Sequence, residues 1–286
     1  MHIMLIPPMI MVVIFCYIPL YGLIIAFQKY NPAMGFASPW VGMQNFERLF
    51  TQPGFIQLIW NTFSIATMKI VAGIIVPVIF SLLLNEIGNV ATKRVFQTII
   101  YIPNFLSWII MAGIFMDILS ASGVVNTAII AMGGNPINFL GDPDIFPYTI
   151  VATDVWKSFG FGTVIYLATL TSIDPGLYEA AVVDGAKRWK QTIHITLPMM
   201  APIITLMSIL SLGNILNAGF DQIFNMSSPI VYRTGDIIDT YVYRLGIEKA
   251  QYSMASAVGM FKSVVSAILI STSYVLADKV AGYRVF

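Results

Sequence analysis

The sequence predicts an all-α membrane protein with six transmembrane helices. Three observations predict it. Apolar types make up 57% of the 286 residues and charged types only 10%, against about 25% charged in a soluble domain. The mean hydropathy is +0.80. Six long apolar runs punctuate the chain, and a helix needs about 20 such residues to cross the hydrocarbon core. Such a composition cannot cover a water-facing surface, which excludes a cytosolic enzyme, a disordered chain and a nucleic-acid binder. The net charge of +1 adds no pull toward polyanions.

The first run covers residues 3–27 and is too long for a signal sequence, with no small-residue cleavage site after it. It reads as a retained span. Only Met1 and His2 precede it, so a short or trimmed N-terminal tail is expected. The further spans are residues 60–84, 98–120, 147–173, 199–222 and 253–277, within a single transmembrane domain of residues 1–286. Pro19, Pro77, Pro103, Pro147, Pro198 and Pro202 lie in or near them, and membrane helices tolerate proline generally. Three loops, residues 28–59, 121–146 and 223–252, are long enough that they must pack on something or dock a partner.

Lys and Arg in short loops set orientation. With both termini inside, the cytoplasmic segments hold Lys93, Arg94, Lys187, Arg188, Lys190, Lys279 and Arg284, and the outer ones Lys29, Arg48, Arg233, Arg244 and Lys249. The cluster around Trp189 in one short loop strengthens this N-in, C-in reading. Cys16 is the one cysteine, and His2 and His194 are far apart. No internal disulfide is possible, and no metal site is expected.

Residues 174–198 carry the strongest local signal. Asp174 suits an N-cap and Pro175 the first helical position. A helix should run to about Asp184, where Gly185 fits the left-handed residue after a C-terminus. A second short surface helix is expected from Lys187 to about Ile195, with Trp189 and Ile193 on one face. Ala180 and Ala181 permit close approach of another surface. Physics alone allows an ordinary helical loop here.

The wording is more specific. Glu179-Ala180-Ala181, three residues, Gly185, nine residues, then Ile195-Thr196-Leu197-Pro198 resembles the EAA loop of ABC-importer permeases, with eight positions matched across twenty residues. The resemblance spans nearly the whole chain. The segment Trp40–Phe46 is similar to the one after the first span in maltose-type sugar permeases. The stretches Tyr21–Pro32, Ser211–Phe224 and Asp236–Gly246 are similar to the group for lipoprotein-linked polysaccharide and oligosaccharide uptake. Members of that group usually begin with a basic tail, and the departure here is read as a short or trimmed start rather than as a different family.

The resemblance implies a type I ABC importer transmembrane fold and a chain that is not itself catalytic. It implies that Glu179, Ala180, Ala181, Asp184 and Gly185 dock in a groove of a cytoplasmic ATPase, whose ATP-driven closure switches access. The implied partners are a second, homologous permease, two ATPase subunits, an extracellular solute-binding protein, the bilayer and an oligosaccharide. No Gly-Lys dipeptide occurs, so there is no phosphate-binding loop. ATP and magnesium are therefore expected on a partner, with no cofactor on this chain. The implied location is the bacterial cytoplasmic membrane.

Charges within spans cost about 2.5–3.5 kcal/mol at the bilayer centre. Lys69, Lys157 and Lys262 lie nine or ten residues into their spans, roughly 14 Å down at the helical rise. Asp154 shares a face with Lys157, so that pair should neutralise itself, leaving Lys69 and Lys262 without an evident partner. The plain reading is a wet cavity, backbone carbonyls or carboxylates from another subunit. The sharper one is a path for an anionic, uronate-containing glycan. Trp108, Trp156, Phe159, Phe161 and Tyr166 lie near these depths. Packing explains most of them, and Trp156 is the best sugar-stacking candidate. Asp221 is expected to serve loop docking. The competing class is a stand-alone secondary transporter or channel, which would need ion-coupling carboxylates in its spans. An intramembrane protease is disfavoured, because no histidine lies within a span and no Gly-x-Ser-x-Gly occurs.

Overall fold

The computed structural model describes residues 2–281, with side chains described for residues 4–273. Arg284 and the Lys279 side chain, counted above for orientation, lie outside the described residues. The described residues form helices joined by turns and irregular loops, with no β-strand among them. In order it comprises α1 Ile6–Phe27, α2 Gln44–Thr51, α3 Phe55–Asn85, α4 Val90–Phe105, α5 Trp108–Ile118 and α6 Val124–Ala131. Then follow α7 Phe146–Thr171, α8 Pro175–Val183, α9 Arg188–Leu212, α10 Phe220–Met226, α11 Tyr232–Gly235, α12 Ile238–Tyr243 and α13 Tyr252–Ala281.

Four helices, α1, α3, α9 and α13, are long and apolar enough to cross a membrane, and the bent pair α4–α5 makes a possible fifth. The third predicted span is not straight. It starts earlier, at Val90, because the Asn89 side chain accepts from the amides of Ala91 and Thr92 at 2.9 and 3.2 Å. It then turns by 106° between α4 and α5. Pro103 lies in the tightened last turn of α4, and Ser107 starts α5 as its N-cap. The fourth predicted span is helical, as α7, but Thr149, Thr153, Asp154, Lys157 and Thr163 make it more polar than a lipid-facing helix. It sits against α3 in the most extensive helix pair of the fold.

The fifth predicted span is displaced toward its start. The expected surface helix at Lys187–Ile195 is not separate, because α9 runs unbroken from Arg188 to Leu212. Proline at 198 has no N–H to give and crowds the carbonyl one turn back. A π-turn at Thr192–Thr196, just before it, absorbs that conflict. Trp189 and Ile193 are both exposed on this helix. The helix ends at Leu212, and residues 213–219 run as turns and irregular chain before α10.

Two cores lie toward the end of the bundle opposite α8. One joins Ile65 and Ala66 of α3, Met111 and Phe115 of α5, Ile150 of α7 and Ile223 of α10. The other joins Leu49 of α2, Leu58 of α3, Ile238 of α12 and Val258 of α13. The long loops are folded onto these cores. Asn45 donates to the carbonyls of Ala26 and Gln28, which caps α1. Arg244 stacks on the Tyr232 ring at 4.2 Å and pairs with Asp236. Burial works against that guanidinium's charge, but Asp236 outweighs it and holds its pKa above the ordinary value. The third core, at the α8 end, joins Val78 and Leu84, Tyr166 and Leu170, and Met200. By contrast α1 is exposed along almost its whole length.

Candidate functional site

The first half of the loop after α7, residues 174–186, folds as its sequence predicts. The Asp174 carboxylate accepts from the Gly176 amide at 2.9 Å, and Pro175 opens α8. At the other end the amides of Gly185 and Ala186 donate to the carbonyls of Val182 and Ala181 at 3.0 and 2.8 Å. Gly185 has φ +76°. This pair of bonds around a left-handed residue satisfies carbonyls that the helix end would otherwise leave open.

The result is a short helix standing away from the bundle. Glu179, Ala180, Asp184 and Gly185 are exposed, and Ala181 is half-buried. Val182 and Val183 are 63% and 87% exposed, with Leu177 beside them. These apolar side chains are bared together on the projection. The base of α8 is tied down. The Tyr178 hydroxyl and the Thr196 hydroxyl are 3.0 Å apart, joining α8 to α9. Arg188 pairs with Glu86, joining the start of α9 to the end of α3. Exposed pairs of that kind contribute only about 0–1 kcal/mol, so the Tyr178 contact and the core around Leu170 hold the joint.

The charges within the bundle pair differently from the sequence expectation. Asp154 does not pair with Lys157. It faces Lys69 of α3 at 3.4 Å, because α3 and α7 pack closely at this level. Lys69 also donates to the Ala218 carbonyl at 2.7 Å and to the Gln222 side chain. Lys262 pairs with Asp239 of α12. Both lysines expected to lack partners therefore have carboxylates, Lys69 from a helix 85 residues away and Lys262 from the helix that precedes its own. Lys157 instead donates to the Asn104 carbonyl at 3.2 Å, at the bend between α4 and α5, and lies 5.2 Å from the Trp108 ring centre. Among the described residues no carboxylate pairs with it.

Lys69, Asp154, Ser211, Asn214 and Asn217 line a cavity of about 260 Å³. Trp156 stands edge-to-face with Phe115 at 5.5 Å and is half-exposed, so Trp108 rather than Trp156 accompanies Lys157. Phe159 packs on Phe80, Tyr166 is buried in the core near α8, and Phe161 is exposed. Asp221 is exposed on the first turn of α10, and among the described residues its side chain makes no contact of the docking kind expected. Sequence reasoning missed Gln222, Asn214, Asn217 and Asn104. The amides are polar residues in or next to apolar segments, which was a usable signal. Asn104 acts through its carbonyl, which no side-chain pattern reveals.

The family described as "binding-protein-dependent transport system inner membrane component" matches residues 69–282. Protein LplB of Bacillus subtilis (strain 168) is 41% identical over 281 residues, covering 98% of this chain and 88% of that protein. The polygalacturonan/rhamnogalacturonan transport system permease protein YteP of the same strain is 39% identical over 281 residues, with the same coverage. A chain in the crystal structure of a bacterial ABC transporter involved in the import of the acidic polysaccharide alginate superposes with a TM-score of 0.89 at 36% identity, covering 98% of this chain and 95% of that one. A second structure, of the bacterial alginate ABC transporter in complex with alginate pentasaccharide-bound periplasmic protein, also gives 0.89 at 36% identity, covering 99% and 96%.

Proposed function

The chain belongs to the family of binding-protein-dependent transport system inner membrane components, as the permease of a sugar or oligosaccharide ABC importer, and we propose that its cargo is an acidic, uronate-containing oligosaccharide. Three supports carry the choice of cargo. One relative is named for polygalacturonan and rhamnogalacturonan transport, and a structural neighbour serves alginate import. Within this chain, Lys157 keeps a cation inside α7 with no carboxylate among the described residues, beside the Trp108 ring. An ammonium next to an aromatic face suits a sugar that carries a carboxylate.

In this reading the membrane is the bacterial cytoplasmic membrane, crossed six times with both termini inside. Residues 90–118 count as one bent span and α7 as a span lined with polar groups. A second, homologous permease completes the pathway. Two ATPase subunits, which hold ATP and magnesium, dock below, and a solute-binding protein docks outside. The neighbour crystallised with a periplasmic protein supports that last partner.

Glu179, Ala180, Ala181, Asp184 and Gly185 form the coupling surface. Closure of the ATPase pair pushes on α8, and the Tyr178–Thr196 contact passes the push to α9. Access then alternates between the two sides. The exposed, tied-down α8 is the observation that carries this mechanism. The test is ATPase activity and uptake by the co-expressed complex carrying Glu179→Lys or Gly185→Pro. Uptake should fall about a hundredfold or more, as expected when a charge is reversed or a left-handed turn broken in an interface centre. Normal cargo-stimulated hydrolysis and uptake would sink the coupling assignment.

A further inference from the structure

Helix α9 ends at Leu212, and α10 begins only at Phe220. The chain between them makes short turns, with the Asn214 amide donating to the Ser211 carbonyl at 3.0 Å and the Asn217 amide to the Asn214 carbonyl at 2.7 Å. Gly219 then enters α10 at φ +92°. Non-helical backbone at membrane depth persists only where protein or water satisfies its peptide groups.

Here the Ala218 carbonyl receives the Lys69 ammonium at 2.7 Å. The same ammonium donates to the Gln222 side-chain oxygen and faces Asp154 at 3.4 Å. An ammonium has three N–H donors, and three acceptors surround this one. The Gln222 amide in turn donates to the Ile150 carbonyl at 2.7 Å and to the Thr153 hydroxyl at 2.8 Å. A Cβ at position 219 would stand 2.9 Å from the ammonium, so glycine lets the lysine close onto the break. The Lys69 side chain is 9% exposed. Its donors are spent on the protein, which sets it apart from Lys157.

We propose that Lys69 is a positioning residue of the transport pathway. It pins the unwound stretch between α9 and α10 to α3 and α7, and so keeps Asn214 and Asn217 in the wall of the cavity that Asp154 also lines. The inference rests on reading α9 as a membrane span of the importer. It does not depend on the charge of the cargo.

The experiment uses the whole importer in membrane vesicles, with Cys16→Ser and with Ala218→Cys as a reporter at a site that is fully buried. The readout is the rate of maleimide labelling at 218. Lys69→Met and Gln222→Leu should each raise it about tenfold, the scale of one lost charged hydrogen bond. The double variant should label no faster than the faster single, because both remove one joint. Lys262→Met, whose partner is Asp239, should leave the rate unchanged. Parental rates in both Lys69→Met and Gln222→Leu would overturn the proposal. If Lys69→Met does not assemble, Gln222→Leu decides alone by the same criterion.

Uptake supplies a second readout, with trigalacturonate and its methyl ester as probes. A positioning role predicts that Lys69→Met raises KM for both probes by the same factor. A loss confined to the charged probe would make Lys69 a direct cargo contact and overturn the positioning role. Transport of neither probe by the parent importer would count against the proposed cargo, and labelling at 218 would still decide the pin.

Discussion

At the scale of single residues, the bundle's lysines divide by what surrounds them. Lys69 and Lys262 each face a carboxylate, Asp154 and Asp239. Lys157 faces a carbonyl and an aromatic ring. Lys157→Met should therefore weaken uptake of a galacturonate oligomer by about tenfold or more, the worth of a charged hydrogen bond, and spare its methyl ester. Lys262→Met should not discriminate between the two, because its charge is already taken up by Asp239. Competition uptake with both probes checks this, and equal losses of both probes in Lys157→Met would remove that residue from cargo recognition. The three lysines were readable as unusual from the sequence, because a charge inside an apolar run is costly wherever it lies. Their partners were not readable. Asp154 has Lys157 three residues away, and helix geometry makes that pair the natural guess. The packing of α3 on α7 decides for Lys69, which is 85 residues away.

At the scale of elements, boundaries held where local chemistry dictates them and moved where packing does. The cap of α8 by Asp174 and its end at Gly185 follow from one carboxylate, one proline and one glycine. The bend between α4 and α5 and the early end of α9 depend on neighbours. Gly160 of α7 shows the reason for the first. A Cβ there would stand 1.9 Å from the Ile100 carbonyl of α4, so the two helices cross almost backbone to backbone. Small residues permit such crossings in membranes. Gly160→Leu should force α4 away and destabilise the assembled complex by about 1–3 kcal/mol or more, the usual range for overpacking. A melting temperature of the solubilised complex equal to that of the parent would contradict this close crossing. The same variant should also disturb Asn104, and with it the seat of Lys157.

At the scale of the whole molecule, the chain is one part of a machine. Its α1 is bare along most of its length, its α8 projects with exposed valines, and α9 and the described part of α13 carry little buried surface. Lipid accounts for a bare apolar span. The bare α8, with Glu179 and Asp184 beside its valines, is the surface on which the proposed ATPase docks. The purified chain alone should hydrolyse no ATP, whereas co-expression with its ATPase and second permease should yield cargo-stimulated hydrolysis. Hydrolysis by the isolated chain, above that of a vesicle blank, would contradict its place as a non-catalytic subunit.

The sequence by itself determined the membrane class, the local fold of the α8 loop and the family. These rest on composition, on caps that act within a few residues, and on a motif whose spacing survives without coordinates. Only the tertiary structure decided which charges meet, where the third span bends and where the fifth stops. Each of those depends on groups brought together from distant parts of the chain: Lys69 with Asp154 and Gln222, Lys157 with Asn104, Gly160 with Ile100. Inside a bilayer every buried charge and open carbonyl must find a partner in the protein. Which partner it finds is set by how the helices pack, and no periodicity along the chain encodes that.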